Sequence, residues 1–227
     1  MKQFVTTAVL FIAIQSQAQL ELYQNTPNFL VEYEFLGADY SVFNVEYSGN
    51  HNSYAQYNGE NTNIGLTRGF VLSTGNALDG SLIGPNDVED VSASMGSEGY
   101  PGLSFIANAS TFDAAVLEFD FIPSVDTLAI RFVFGSEEYE EYIGAVFNDL
   151  MAVFLTGPNI QGPPLNIAVL PDVSAVLPNN VHRSVSNSFG FHPAVNNNSY
   201  VHNSVSSQGL PDKIQLDGFT VPLTAFT

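Results

Sequence analysis

The chain has 227 residues, with 23 acidic side chains against 5 basic ones and a formal net charge of -18. Such a charge opposes binding to phosphate backbones and anionic membrane surfaces, and it leaves cations, cationic partners or neutral glycans as fitting ligands. Cysteine is absent, so no disulfide stabilises the fold, and the length suits a single domain with a substantial apolar core.

The amino terminus carries Lys2, an apolar run from Phe4 to Ile14, and then Ser16-Gln17-Ala18. That order is the pattern of a secretory signal peptide over residues 1–18, and the run is too short to span a bilayer. The mature chain is therefore expected to start near Gln19 and to be exported, extracellular or at the cell surface. Loss of Lys2 leaves four basic residues against 23 acidic ones. No second apolar run reaches spanning length, so no direct transmembrane segment is expected.

Residues 19–227 read as one all-β domain, an antiparallel β-sandwich or jelly-roll-like fold with long polar loops. Short apolar or alternating runs at 39–49, 69–76, 114–122, 128–134, 150–155 and 166–170 are separated by Gly, Pro, Asn and Asp, and no stretch has a convincing helical period. In 39–49 the alternation breaks: Val42 is followed, after a shift, by Val45 and Tyr47. In 114–122, Leu117, Phe119 and Phe121 share one face and Glu118 and Asp120 the other. The two runs flanking 122–127 predict a hairpin whose register sets Glu118 opposite Arg131. Two polar segments, 76–110 and 178–209, are long for loops inside a compact domain. The second holds His182, His192 and His202, without metal-ligand spacing, and these are expected to be surface residues.

The most concentrated chemistry follows the 128–134 strand, in FGSEEYEEYIGAVFND. Calcium takes six to eight oxygen ligands, and Glu137 and Glu138 leaving one strand with Asn148 and Asp149 entering the next are the candidate ligands. Asp120 and the acids Asp87, Glu89 and Asp90 are possible additions. The alternative is a solvated turn in which Tyr139 and Tyr142 pack and the glutamates face water; Glu140 and Glu141 fit that description better than a metal site. No cofactor other than calcium is expected. A glycoside hydrolase needs carboxylates placed across the scissile bond. Glu118-Phe119-Asp120 resembles part of an E-x-D-x-x-E signature, but position 123 is Pro and the chain has no Trp, so a catalytic role is not expected. No nucleophile elbow, phosphate loop or basic stripe is present, which sets nucleotide and nucleic-acid binding aside.

The blocks STGN, STFDAAVLEFDFIPSVDTLAIRFVFGSEEYEEYIG, FNDLMAVFLTGP, NIAVLP and IQLDGFTVPLTA occur in that order. From about Asn44 to the end the chain resembles the choice-of-anchor L domain of exported bacterial surface proteins. The resemblance implies an extracellular β-rich domain, usually found in longer chains with varied carboxy-terminal anchoring or sorting signals. Family domains continue past the last block, so it also implies that C-terminal strands are missing here and that a sheet edge is left unpaired. The resulting expectation is a non-catalytic secreted or cell-surface module for adhesion or interaction, stiffened by calcium, whose partner is an extracellular protein or glycan. The alternative is a carbohydrate-binding or carbohydrate-active jelly roll.

Overall fold

The computed structural model describes residues 20–36, 40–78, 82–84, 86, 93–203 and 214–226; the expected leader and Asp87, Glu89 and Asp90 lie outside the described residues. In chain order the first elements are β1 (Glu21–Tyr23), α1 (Pro27–Phe29) running into a π-helical stretch (Leu30–Phe35), β2 (Ser41–Ser48), β3 (Tyr54–Asn58) and β4 (Arg68–Leu72). There follow α2 (Pro101–Ala107), β5 (Val116–Ile122), β6 (Ala129–Phe132), β7 (Gly135–Ser136), β8 (Phe154–Leu155) and β9 (Leu165–Asn166). The last are β10 (Val185–Asn187), β11 (Gly190–His192), β12 (Tyr200–His202), β13 (Gly218–Thr220) and β14 (Leu223–Phe226). The fold is all-β, and every named strand pairing is antiparallel.

Strand pairing departs from the expected hairpin. β5 pairs with β2, setting Glu118 opposite Glu46, and β6 pairs with β14, setting Arg131 opposite Thr224. The apolar faces explain the choice. Ile130 and Phe132 of β6 meet Ala225 and Leu223 of β14, and all four are buried. The half-buried face of β5 instead matches β2, where Phe121 lies opposite Val42 and Leu117 opposite Tyr47. The broken alternation in β2 is a register shift between Phe43 and Glu46, with Asn44 in the left-handed region at φ 53°.

A helix also stands where a polar loop is expected. α2 starts with Pro101 in its first turn, behind an extended Tyr100, and ends on Asn108 in the left-handed conformation at φ 51°. It is short and buries no residue fully, so it leaves no apolar stripe to read. Among the described residues no helix is long and apolar enough to cross a membrane.

Among the described residues, buried apolar side chains gather in two clusters. One gathers Ile130, Phe132, Tyr139, Ile143, Leu170, Val176, Val181 and Leu223; the other gathers Ala55, Tyr57, Leu82, Ile214 and Phe219. Tyr139 and Ile143 bring the acidic turn into the first cluster.

Candidate cation site at the acidic turn

β7 seats the turn against the sheet, with Ser136 opposite Gly218 and Gly135 opposite Phe219 on β13. Tyr139 is 1% exposed, and its ring lies 4.9 Å from that of Tyr200. The close approach depends on Gly218, where a Cβ would stand 2.7 Å from the Tyr200 hydroxyl and 2.8 Å from the Tyr139 ring. Burying Tyr139 and Ile143 inward fixes which of the neighbouring acids are drawn in with them.

Glu138 and Asp149 are the two that meet. The Asp149 backbone N–H donates to Glu138 Oε2 at 2.9 Å, the Ser136 hydroxyl donates to Asp149 Oδ2 at 3.2 Å, and the Glu138 N–H donates to Ser136 Oγ at 3.0 Å. Thr74 donates to the other Asp149 oxygen at 3.5 Å. Burial, and then the Asp149 charge, push the Glu138 carboxyl up to about 7. Burial raises Asp149 as well, opposed by the Ser136 and Thr74 hydrogen bonds. Among the described residues neither carboxylate takes part in a salt bridge.

The remaining predicted ligands are placed differently. Both carboxylate oxygens of Glu137 are shielded from solvent. The Asn148 side chain holds the turn together: its amide donates to the Ala145 carbonyl at 3.4 Å, and its oxygen accepts from the Asn179 N–H at 3.3 Å. Asp120 lies on the exposed face of β5 and accepts from Asn44 at 2.7 Å. Among the described residues no three His, Cys, Asp or Glu side chains come together as a metal-holding group.

Glu140 is not solvated, contrary to expectation. Arg183 grips it through two donors, Nε to Oε1 and Nη2 to Oε2, the latter at 2.7 Å, and His202 Nδ1 lies 3.3 Å from Oε1. The pairing joins residues 43 apart, so neither local charge nor spacing announces it. Glu141 is exposed as expected, whereas Tyr142 is 41% exposed and does not pack. The histidines depart from the surface assignment. His182 is 2% exposed, and Gly144, at φ 87°, lets the turn lie so close to the His192 ring that a Cβ there would collide with it. Sequence reasoning missed Ser136, Thr74 and Arg183. The only signal for the first two is their place inside the STGN and GSEE blocks, and for the third its rarity as one of five basic residues.

The chain matches no curated protein and no solved structure. The family model of the choice-of-anchor L domain matches residues 18–227. That match spans the acidic turn, both core clusters and nearly the whole chain, and the chain belongs to the choice-of-anchor L domain family.

Proposed function

We propose that this protein is an exported, non-catalytic cell-surface module that binds another extracellular molecule, and that a calcium ion bridging Glu138 and Asp149 stiffens its acidic turn. Family membership points to a cell-surface module. The observation that carries the calcium reading is the Glu138–Asp149 pair itself. Two largely buried carboxylates are tied together by the Asp149 N–H and by Ser136, with no cation of the described chain paired to either. Carboxylate and hydroxyl oxygens are hard donors of the kind calcium takes, and water or carbonyl oxygens would complete the six to eight ligands it needs. Two carboxylates are a sparse set, so the expected affinity is that of extracellular calcium modules, a dissociation constant on the order of 10⁻⁴–10⁻³ M. A calorimetric titration of the mature chain with calcium tests this. Heat of binding and a raised melting temperature, both lost in Asp149→Asn, are expected; neither signal at millimolar calcium sinks the proposal.

A glycoside hydrolase is not favoured. Glu118 and Asp120 lie on an exposed strand face rather than across a cleft, Pro123 stands where a third acid would be, and the cross-strand neighbour of Glu118 is another acid, Glu46.

A further inference from the structure

Away from the acidic turn, residues 97–113 fold into a compact excursion around α2. Its two ends are tied together: the Asp113 N–H donates to the Ser97 carbonyl at 3.0 Å, and the Ala114 N–H to the Glu98 carbonyl at 3.1 Å. A bridge sets Glu98 opposite Phe112, and Gly99 lies so close to Thr111 that no side chain would fit between them. The helix rests on strand β8, where the Tyr100 and Phe154 rings are 6.1 Å apart and Gly102 lies against the Phe154 ring. Between the helix and the 108–111 turn is an open cleft of about 500 Å³.

The lining combines aromatic faces with polar groups. Tyr100 and Phe105 both line the cleft, and Phe105 is 88% exposed. Single exposed rings are ordinary; what sets this one apart is its place beside Tyr100 on a concave surface, where the ring can meet a ligand. The Ser104 and Thr111 hydroxyls, 2.8 Å apart, also bond the Thr111 and Tyr100 backbone and so hold the cleft's wall in shape. The side chains of Glu98 and Asn108 are exposed and have no hydrogen-bond partner among the described residues. Among the described residues no Lys or Arg lines the cleft, and the Glu118 carboxylate near Tyr100 adds negative charge beside it.

We infer that this cleft binds a neutral glycan. Aromatic rings offer flat apolar faces to the C–H side of a sugar, while the Glu98 carboxylate and the Asn108 amide match its hydroxyl pairs. The acidic surroundings oppose phosphate, sulfate and uronate groups. Shallowness and openness fit a chain lying across the surface better than a small molecule enclosed by it.

The inference rests on reading the protein as an interaction module, and its test keeps the two apart. The mature chain is run in affinity gels containing neutral polysaccharides (β-glucan, mannan, xylan) or anionic ones (alginate, polygalacturonate), with a lysine-rich peptide titrated separately. Retardation by at least one neutral polysaccharide is expected, weakened roughly tenfold in Phe105→Ala and also weakened in Asn108→Gly. Both variants should melt as the parent does, because both side chains are exposed and glycine keeps the left-handed conformation at position 108. No neutral polysaccharide bound, binding confined to the anionic polymers or the peptide, or neutral binding unchanged in both variants would each overturn the assignment. Binding confined to the anionic polymers or the peptide removes the cleft and leaves the module reading standing, whereas binding to none of these probes counts against both.

Discussion

In the turn between β7 and β8, Glu138 and Asp149 are drawn out of water, each held by backbone or hydroxyl donors. Across the β2–β5 ribbon, Glu46 faces Glu118 with Asp120 two residues further on, all three exposed. Both regions crowd like charges, and water separates their fates. On the ribbon, solvent and salt screen the repulsion, which then costs little. In the turn, burial penalises the ionised forms, so the same proximity becomes a reason to hold a proton or a divalent cation. Charge density in a sequence therefore says less about a cation site than the apolar residues interleaved with it, here Tyr139 and Ile143.

The largest contrast should appear in packing. Tyr139→Ala empties a fully buried site and is expected to cost about 3–5 kcal/mol in urea denaturation, whereas Phe43→Ala, at a half-exposed position on the ribbon, should cost less than about 1 kcal/mol. Equal losses would mean that the turn is not anchored through its tyrosine.

Next is the pH dependence without metal. Glu138 rises from 4.5 to about 7 in the folded chain, so over that window the native state binds more protons than the unfolded state, and stability falls as pH rises. The drop should be on the order of 1–2 kcal/mol, since Glu138 is partly solvated and water screens part of the penalty. Glu138→Gln should flatten the profile, and calcium should counter the fall at the upper end. A slope that persists in Glu138→Gln would place the responsible group elsewhere.

These two regions were unequally legible. The two faces of β5 and the broken alternation of β2 could be read directly, because pleating with a period of two is a local property. Which strand faces β5 could not, since β2 and β14 reach their partners across long stretches of chain and adjacency in sequence favours the wrong hairpin. At the turn, Glu138 and Asp149 were legible as acids flanking a loop. The division of labour around them was not: Asn148 is spent on the loop itself, and Glu140 on Arg183 from a remote segment. α2 carries no periodic stripe, and its cleft was hidden for the same reason.

The Glu140–Arg183 pair sits between the two extremes, with 20% and 46% of the side chains exposed. Its two-donor geometry favours a measurable contribution, and its partial exposure limits it to about 1 kcal/mol. A double-mutant cycle of Glu140→Gln and Arg183→Ala, read by denaturation, should show coupling of that order. Strict additivity would reduce the contact to a surface ion pair without energetic weight.

The smallest expected effect is the most direct test of screening. Glu46→Lys replaces a repulsive cross-strand pair with an attractive one at an exposed position, so it should stabilise the protein by about 0.2–1 kcal/mol. Raising the salt concentration weakens both the repulsion in the parent and the attraction in the variant, so the difference should shrink as the Debye length falls. The same salt titration should leave the penalty of Tyr139→Ala intact, because that loss is one of packing. If the Glu46→Lys gain were instead large and insensitive to salt, the ribbon acids would be interacting through protein rather than water, and the distinction between the two regions would fail.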